Sequence, residues 1–210
     1  MFEDRIYEMK EITYDRKRLE DFYDRVKHLA VDYSEIRSRA TKGLFSSIKL
    51  DKDNHEGKEF LDYPEISEIV ELFNPVKKKI GNGNIAITVY QPYFEFHPHT
   101  DFSRKAVIMI PILPEDGGKG LDFYADEILG DDAHLVHSDE QAMAPGHDEE
   151  FYIGTCKYST IHPTLMDTER VHGVRNDDRT RVYLQISIYD MFEDTVKRIK
   201  SGDFLTIKEK

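Results

Sequence analysis

Between Arg16 and Tyr33 apolar residues return at helical spacing. Leu19, Phe22, Tyr23, Val26, Leu29, Ala30 and Tyr33 form one stripe, with Asp, Glu, Arg and Lys opposite, which predicts a packing helix over 16–33. A second, shorter helix is predicted from Pro64, whose fixed φ suits a first helical turn. It would carry Ile66, Ile69, Val70 and Phe73 on one side and stop before Asn74-Pro75. Gly81-Asn82-Gly83 then punctuates the chain, and the character changes to short β-rich runs at 84–91, 93–97, 106–113, 120–124, 151–157, 160–167, 169–174 and 179–189. Eight such runs separated by turns predict a sandwich or barrel. Asn176-Asp177-Asp178 reads as a hairpin turn between the runs at 171–174 and 182–188. In that last run Val182, Leu184, Ile186 and Ile188 face one way, and Arg181, Tyr183, Gln185 and Ser187 the other. A polar face on a central strand calls for an explanation.

Length and charge narrow the possibilities. The 210 residues suffice for one sizeable core and are expected to form a single domain. Lys and Arg number 29 against 41 Asp and Glu, a net charge of −12 that repels phosphate backbones and anionic membranes. The excess is local: residues 120–156 contain no Lys or Arg but ten acids. Within that segment, 130–150 lacks any clear period, and we expect a mobile flap near a site mouth. The longest apolar run, around 106–113, is far short of the roughly 20 residues needed to span a bilayer. Met1-Phe2-Glu3-Asp4-Arg5 has neither the basic start nor the apolar stretch of a secretory signal. With Cys156 alone in the chain, a cytoplasmic setting is expected, with Cys156 a buried small hydrophobe.

The richest string for chemistry is Gln91-Pro92-Tyr93-Phe94-Glu95-Phe96-His97-Pro98-His99-Thr100-Asp101. In extended backbone, residues two apart share a side, so His99 and Asp101 can offer an imidazole nitrogen and a carboxylate oxygen to one point. The His-Thr-Asp tripeptide is a weak signal by itself. A distal His172, in Glu169-Arg170-Val171-His172-Gly173-Val174, adds a second imidazole 73 residues later. Two imidazoles and one carboxylate make a facial triad that leaves open positions on a ferrous ion.

On these residues, the chain from Asn84 to Asp190 resembles the Fe(II)/2-oxoglutarate-dependent oxygenases, and is most similar in arrangement to their prolyl-4-hydroxylase and aspartyl/asparaginyl-hydroxylase-like members. The apolar strand after His-x-Asp, the Gly-containing turn leading to Leu121-Asp122-Phe123-Tyr124, and the ending of His172, turn, Arg and apolar strand carry the likeness alongside the triad. The resemblance implies an α+β, mainly β protein whose core at 84–190 is a double-stranded β-helix, or jelly roll. Residues 1–83 would support it and 191–210 would form a C-terminal extension. It further implies Fe(II) on His99, Asp101 and His172, and O2 and 2-oxoglutarate as cosubstrates, with ascorbate as a reductant. Succinate and CO2 would be released as a small-molecule or peptidyl substrate is hydroxylated.

The far carboxylate of 2-oxoglutarate needs a cation in a partly dry barrel, and Arg181 is the candidate, because a guanidinium meets a carboxylate through two parallel hydrogen bonds. Tyr93 and Tyr183 are candidates to touch the cosubstrate. Arg179 shares the parity of Arg181 and would replace it if the register were shifted, whereas Arg175 reads as a solvated turn residue. His97 shares parity with His99 but precedes a Pro kink. His134 and His137 read as loop residues, and His162 as a packing or hydrogen-bonding residue. A rival reading from a different class is a cupin-like metal protein, an isomerase or a small-molecule binding module, which would need the triad but not Arg181. A silent interaction domain would need neither.

Overall fold

The computed structural model describes residues 3–33, 41–48, 62–73, 85–101, 104–130, 134–135 and 142–202. The first part contributes β1 (Ile6–Glu8), α1 (Arg16–Val26), β2 (Val31–Asp32), β3 (Thr41–Lys42), β4 (Phe45–Ile48) and α2 (Pro64–Phe73). There follow β5 (Ile85–Tyr90), β6 (Glu95–His99), β7 (Ala106–Leu113), β8 (Lys119–Tyr124), β9 (His134–Leu135) and β10 (Ala142–Met143). The chain continues through β11 (Tyr152–Lys157), β12 (Thr164–Asp167), β13 (His172–Arg175), β14 (Arg181–Ile188) and α3 (Phe192–Lys200).

The strands form two antiparallel sheets. One has the order β1-β12-β7-β14-β5-β4-β2, and the other β11-β8-β13-β6-β10-β9, with β3 also on β6. The strands β5 to β8 and β11 to β14 overlap the β-rich runs read from the sequence, whereas β4, as long as β12 and β13, lies outside them. Their pairing is that of a ribbon folded over on itself: β5 lies on β14, β6 on β13, β7 on β12 and β8 on β11. The fold is therefore a jelly roll, mainly β, with its helices packed on one outer face.

That topology corrects the expected hairpin. β13 and β14 are consecutive but belong to different sheets, so Asn176-Asp177-Asp178 is a crossover. The residues of this turn bond to the neighbouring β5–β6 turn instead. Tyr93 N donates to Asp177 O at 2.8 Å, Asn176 N to Phe94 O at 2.8 Å, and Asn176 Nδ2 to Gln91 O at 2.6 Å.

The first helix is also shorter than predicted. α1 stops at Val26, a 3-10 turn covers Lys27–Leu29, and Val31–Asp32 pairs with β4. The apolar stripe is real, but its last members pack from non-helical backbone: Leu29 and Ala30 lie against the helix-side core, and Tyr33 against the core between the sheets. α2 begins at Pro64 and buries Ile66, Ile69, Val70 and Phe73, as predicted.

The two faces of β14 belong to two different cores. Val182, Leu184, Ile186 and Ile188 join a core with Leu19, Phe22 and Val26 of α1, the apolar face of α2, and Phe192 and Ile199 of α3. Tyr183 points the other way, into a second core between the sheets with Tyr90, Phe94, Leu121, Phe123 and Val174. The polar face that the sequence left unexplained is thus the inside of the jelly roll. Of the expected flap at 130–150, residues 131–133 and 136–141 lie outside the described residues; in its described part, β10 pairs with β6 through Met143 and His99.

Candidate metal centre

His99 ends β6 and His172 opens β13, and the two residues are register partners across the antiparallel pair. Paired residues share a sheet face, so both imidazoles enter the interior from the same end of the roll. Asp101 follows two residues after His99, its backbone N donating to Thr168 O at 2.9 Å. The donor atoms of His99, Asp101 and His172 all lie within 4.8 Å of one another, the one such His/Cys/Asp/Glu group among the described residues. His99 Nε2 is 3.7 Å from Asp101 Oδ1, and His172 Nε2 is 4.0 Å from Asp101 Oδ2.

The outer ring nitrogens fix which atoms are free. His99 Nδ1 is 2.7 Å from the His97 carbonyl and His172 Nδ1 is 2.9 Å from the Arg170 carbonyl. A carbonyl can only accept, so each Nδ1 carries a proton and each Nε2 is the ring nitrogen turned toward Asp101. Metal-bound histidines are oriented in this way. Burial, reinforced by the neighbouring His99, lowers the His172 pKa to about 4, which keeps that ring neutral at physiological pH. For Asp101, burial alone would raise the pKa. The Arg104 guanidinium and the two imidazoles outweigh it and hold the carboxyl well below its usual range. A neutral His172 imidazole and an ionised Asp101 carboxylate are protonation states that a divalent ion requires. Donors of a six-coordinate ion with bonds of roughly 2.1 Å sit about 3 Å apart when adjacent, so this cluster closes by about 1 to 2 Å on a metal.

Arg181 lies at the far end of the same interior, pairing in register with Tyr90 beside the β5–β6 turn. It is fully buried, at 0% exposure. Nη1 donates to Gly120 O at 3.2 Å, whereas Nε and Nη2 are buried with no hydrogen-bond partner. Its guanidinium carbon lies 5.5 Å from the Tyr90 ring centre and 5.8 Å from that of Tyr183. Aromatic faces offset part of the cost of burying the charge. They satisfy neither orphaned N–H.

The other sequence candidates fall into place around this axis. Tyr183 is interior, its hydroxyl donating to Lys119 O at 3.2 Å. Tyr93 is not brought to the interior: it sits on the β5–β6 turn with φ 59° and is 68% exposed, because this turn needs a left-handed residue and turns the ring outward. Arg179 lies at the surface, paired with Asp116 and Asp177 at 2.9 Å each. Arg175 is no solvated turn residue. Its Nε donates at 2.6 Å to Oδ2 of Asp122, a fully buried carboxylate, and its Nη1 pairs with Glu149. His97 packs edge-on to His147 at 5.9 Å, away from the triad. His162 Nδ1 lies 2.7 Å from the Ile12 carbonyl, a structural hydrogen bond. Burial pushes the Cys156 thiol up to about 12, so it is an inert apolar group. His137 and the side chain of His134 lie outside the described residues.

Two neighbours of the triad escaped the sequence reading. Arg104 Nε donates to Asp101 Oδ2 at 2.5 Å, and Thr168 holds both residues from the facing loop. The only sequence signal was a cation three positions after the carboxylate.

No family model matches the chain, and no curated protein matches it. Among solved structures the chain is similar to EvdO2 from Micromonospora carbonacea var. aurantiaca, at 15% identity over 90% of this chain and 91% of that one, with a TM-score of 0.46. It is similar to a Pseudomonas putida prolyl-4-hydroxylase at 12% identity over 81% of each chain, TM-score 0.39. It is also similar to the collagen prolyl hydroxylase of Paramecium Bursaria Chlorella virus-1, solved with 2-oxoglutarate, at 13% identity over 79% of this chain and 88% of that one, TM-score 0.41.

Proposed function

We propose that this protein is a non-haem Fe(II)- and 2-oxoglutarate-dependent dioxygenase that hydroxylates a small-molecule or peptidyl substrate. The observation that carries the reading is Arg181, a fully buried guanidinium with two unpartnered nitrogens in the same interior as a prepared His/His/Asp set. An unpaired buried charge is costly unless a ligand completes it. The missing partner is therefore an anion with two oxygens in one plane, which describes a carboxylate. A ligand joining a metal at one end of the roll to Arg181 at the other needs a chelating head and a distal carboxylate, and 2-oxoglutarate has both.

His99, Asp101 and His172 would hold the ferrous ion through Nε2, a carboxylate oxygen and Nε2. Bound there with 2-oxoglutarate and O2, it would supply the redox chemistry that couples oxidative decarboxylation to succinate and CO2 with insertion of one oxygen atom into a substrate C–H bond. Arg181 would fix the cosubstrate's distal carboxylate, with Tyr183 beside it, while the aromatic floor of Tyr90 and Phe94 keeps water from that end. Ascorbate is the natural reductant to supply in an assay. The charge of −12 favours a substrate other than nucleic acid.

A cupin-like isomerase or binding module would use the triad alone and gain nothing from Arg181. Incubating the pure protein with Fe(II), ascorbate, O2 and 2-oxoglutarate, and measuring succinate, separates the readings. Iron-dependent succinate that is lost in His172→Ala is expected, and its absence at every tested substrate pool counts for the cupin-like reading.

A further inference from the structure

The Asp101 carboxylate has two oxygens that meet different partners. Oδ1 faces His99 Nε2 at 3.7 Å, whereas Oδ2, which lies 4.0 Å from His172 Nε2, also accepts a hydrogen bond from Arg104 Nε at 2.5 Å. Arg104 is no loose surface arginine, its side chain being 23% exposed. Its backbone is pinned by Thr168, whose Oγ1 donates to Arg104 O at 3.1 Å and whose N donates to Lys105 O at 3.2 Å. The same Thr168 accepts from Asp101 N through its carbonyl, at 2.9 Å. One buried threonine thus sets the spacing between the carboxylate and the guanidinium that grips it.

We propose that Arg104 is a positioning residue that occupies Oδ2 and so limits Asp101 to donating one oxygen to the metal. The inference rests on the proposed metal site. An unrestrained carboxylate can bind a divalent ion through both oxygens, consuming a coordination position. A chelating cosubstrate plus dioxygen needs three open positions, so a second Asp101 oxygen would take one of them. An Arg holding Oδ2 in a charge-assisted hydrogen bond prevents this, and its cationic charge opposes metal binding enough that it serves orientation more than affinity.

The test uses Mn(II) as the probe, with the water bound to it counted by proton relaxation in wild type, Arg104→Ala, Arg104→Met and Arg104→Lys. Arg104→Met keeps the aliphatic stem, so a packing defect in the Ala variant does not decide the result. Wild type is expected to show about three exchangeable waters. The Ala and Met variants are expected to show about one fewer while still binding Mn(II), and to bind 2-oxoglutarate to the Mn(II) form about 10- to 100-fold more weakly. Lys should restore part of both. Equal water counts in wild type, Ala and Met, with Mn(II) bound in all three, overturn this inference and leave the metal site standing. Failure of wild type to bind Mn(II) overturns the metal site, and this inference with it.

Discussion

At the scale of single residues, the partners of a side chain decide more than its exposure. Arg175 and Arg181 both reach buried surroundings, but Arg175 is matched by Asp122 while Arg181 has no acid on it among the described residues. Removing them should therefore have opposite consequences. Arg175→Ala leaves a fully buried Asp122 with only Lys119 and Thr155, and should lower stability by about 1–3 kcal/mol in urea unfolding. Arg181→Ala should preserve or raise stability, since it removes an uncompensated buried charge, while its cost falls on ligand binding. The triad was legible because His-x-Asp on extended backbone and a later His have a fixed geometric meaning. The interior position of Arg181 was legible from strand parity. The Arg175–Asp122 pair and the Arg104–Asp101 pair were not, because salt-bridge partners 53 residues apart, or three apart outside any predicted element, carry no period in the sequence.

At the scale of elements, close approach of strands limits which substitutions the roll tolerates. A Cβ on Gly120 would lie 2.2 Å from the Cys156 carbonyl oxygen of the paired β11, and Gly120 O is the acceptor for Arg181. Gly120→Ala should cost about 3 kcal/mol or more, seen as a lowered thermal midpoint, and weaken 2-oxoglutarate binding with it, because pushing β8 away moves the anchor of Arg181. The eight strands were readable from local alternation, yet which sheet each joins was not. The hairpin misreading at 176–178 arose there: turn residues announce a reversal, and the jelly-roll pairing that sends β13 and β14 to different sheets is a long-range property. α3 had a readable signal in Phe192, Thr195 and Ile199, buried at helical spacing within what read only as an extension.

For the whole molecule, acid should destabilise the fold through two buried histidines. Burial lowers His172 and His147 to about 4, below the ordinary 6.5. Between these values the unfolded chain binds protons that the folded chain refuses, so stability falls as pH drops from about 6.5 toward 4 and this contribution levels off below about 4. Thermal melts across that window check the sign, and a midpoint that rises on acidification would refute it. At neutral pH a saturating divalent ion should raise the melting point of wild type and not of His172→Ala, by mass action on the folded state alone. The central claim is that metal triad and Arg181 together form one 2-oxoglutarate site, and the direct measurement is calorimetric titration of 2-oxoglutarate into the Mn(II)-loaded protein under argon. Truncating one partner of a buried charged pair costs about 2–5 kcal/mol. Arg181→Ala should therefore bind about 30-fold to several thousand-fold more weakly while retaining Mn(II), with Arg181→Lys restoring only part and the surface variant Arg179→Ala unchanged. Wild-type affinity in Arg181→Ala would contradict the account.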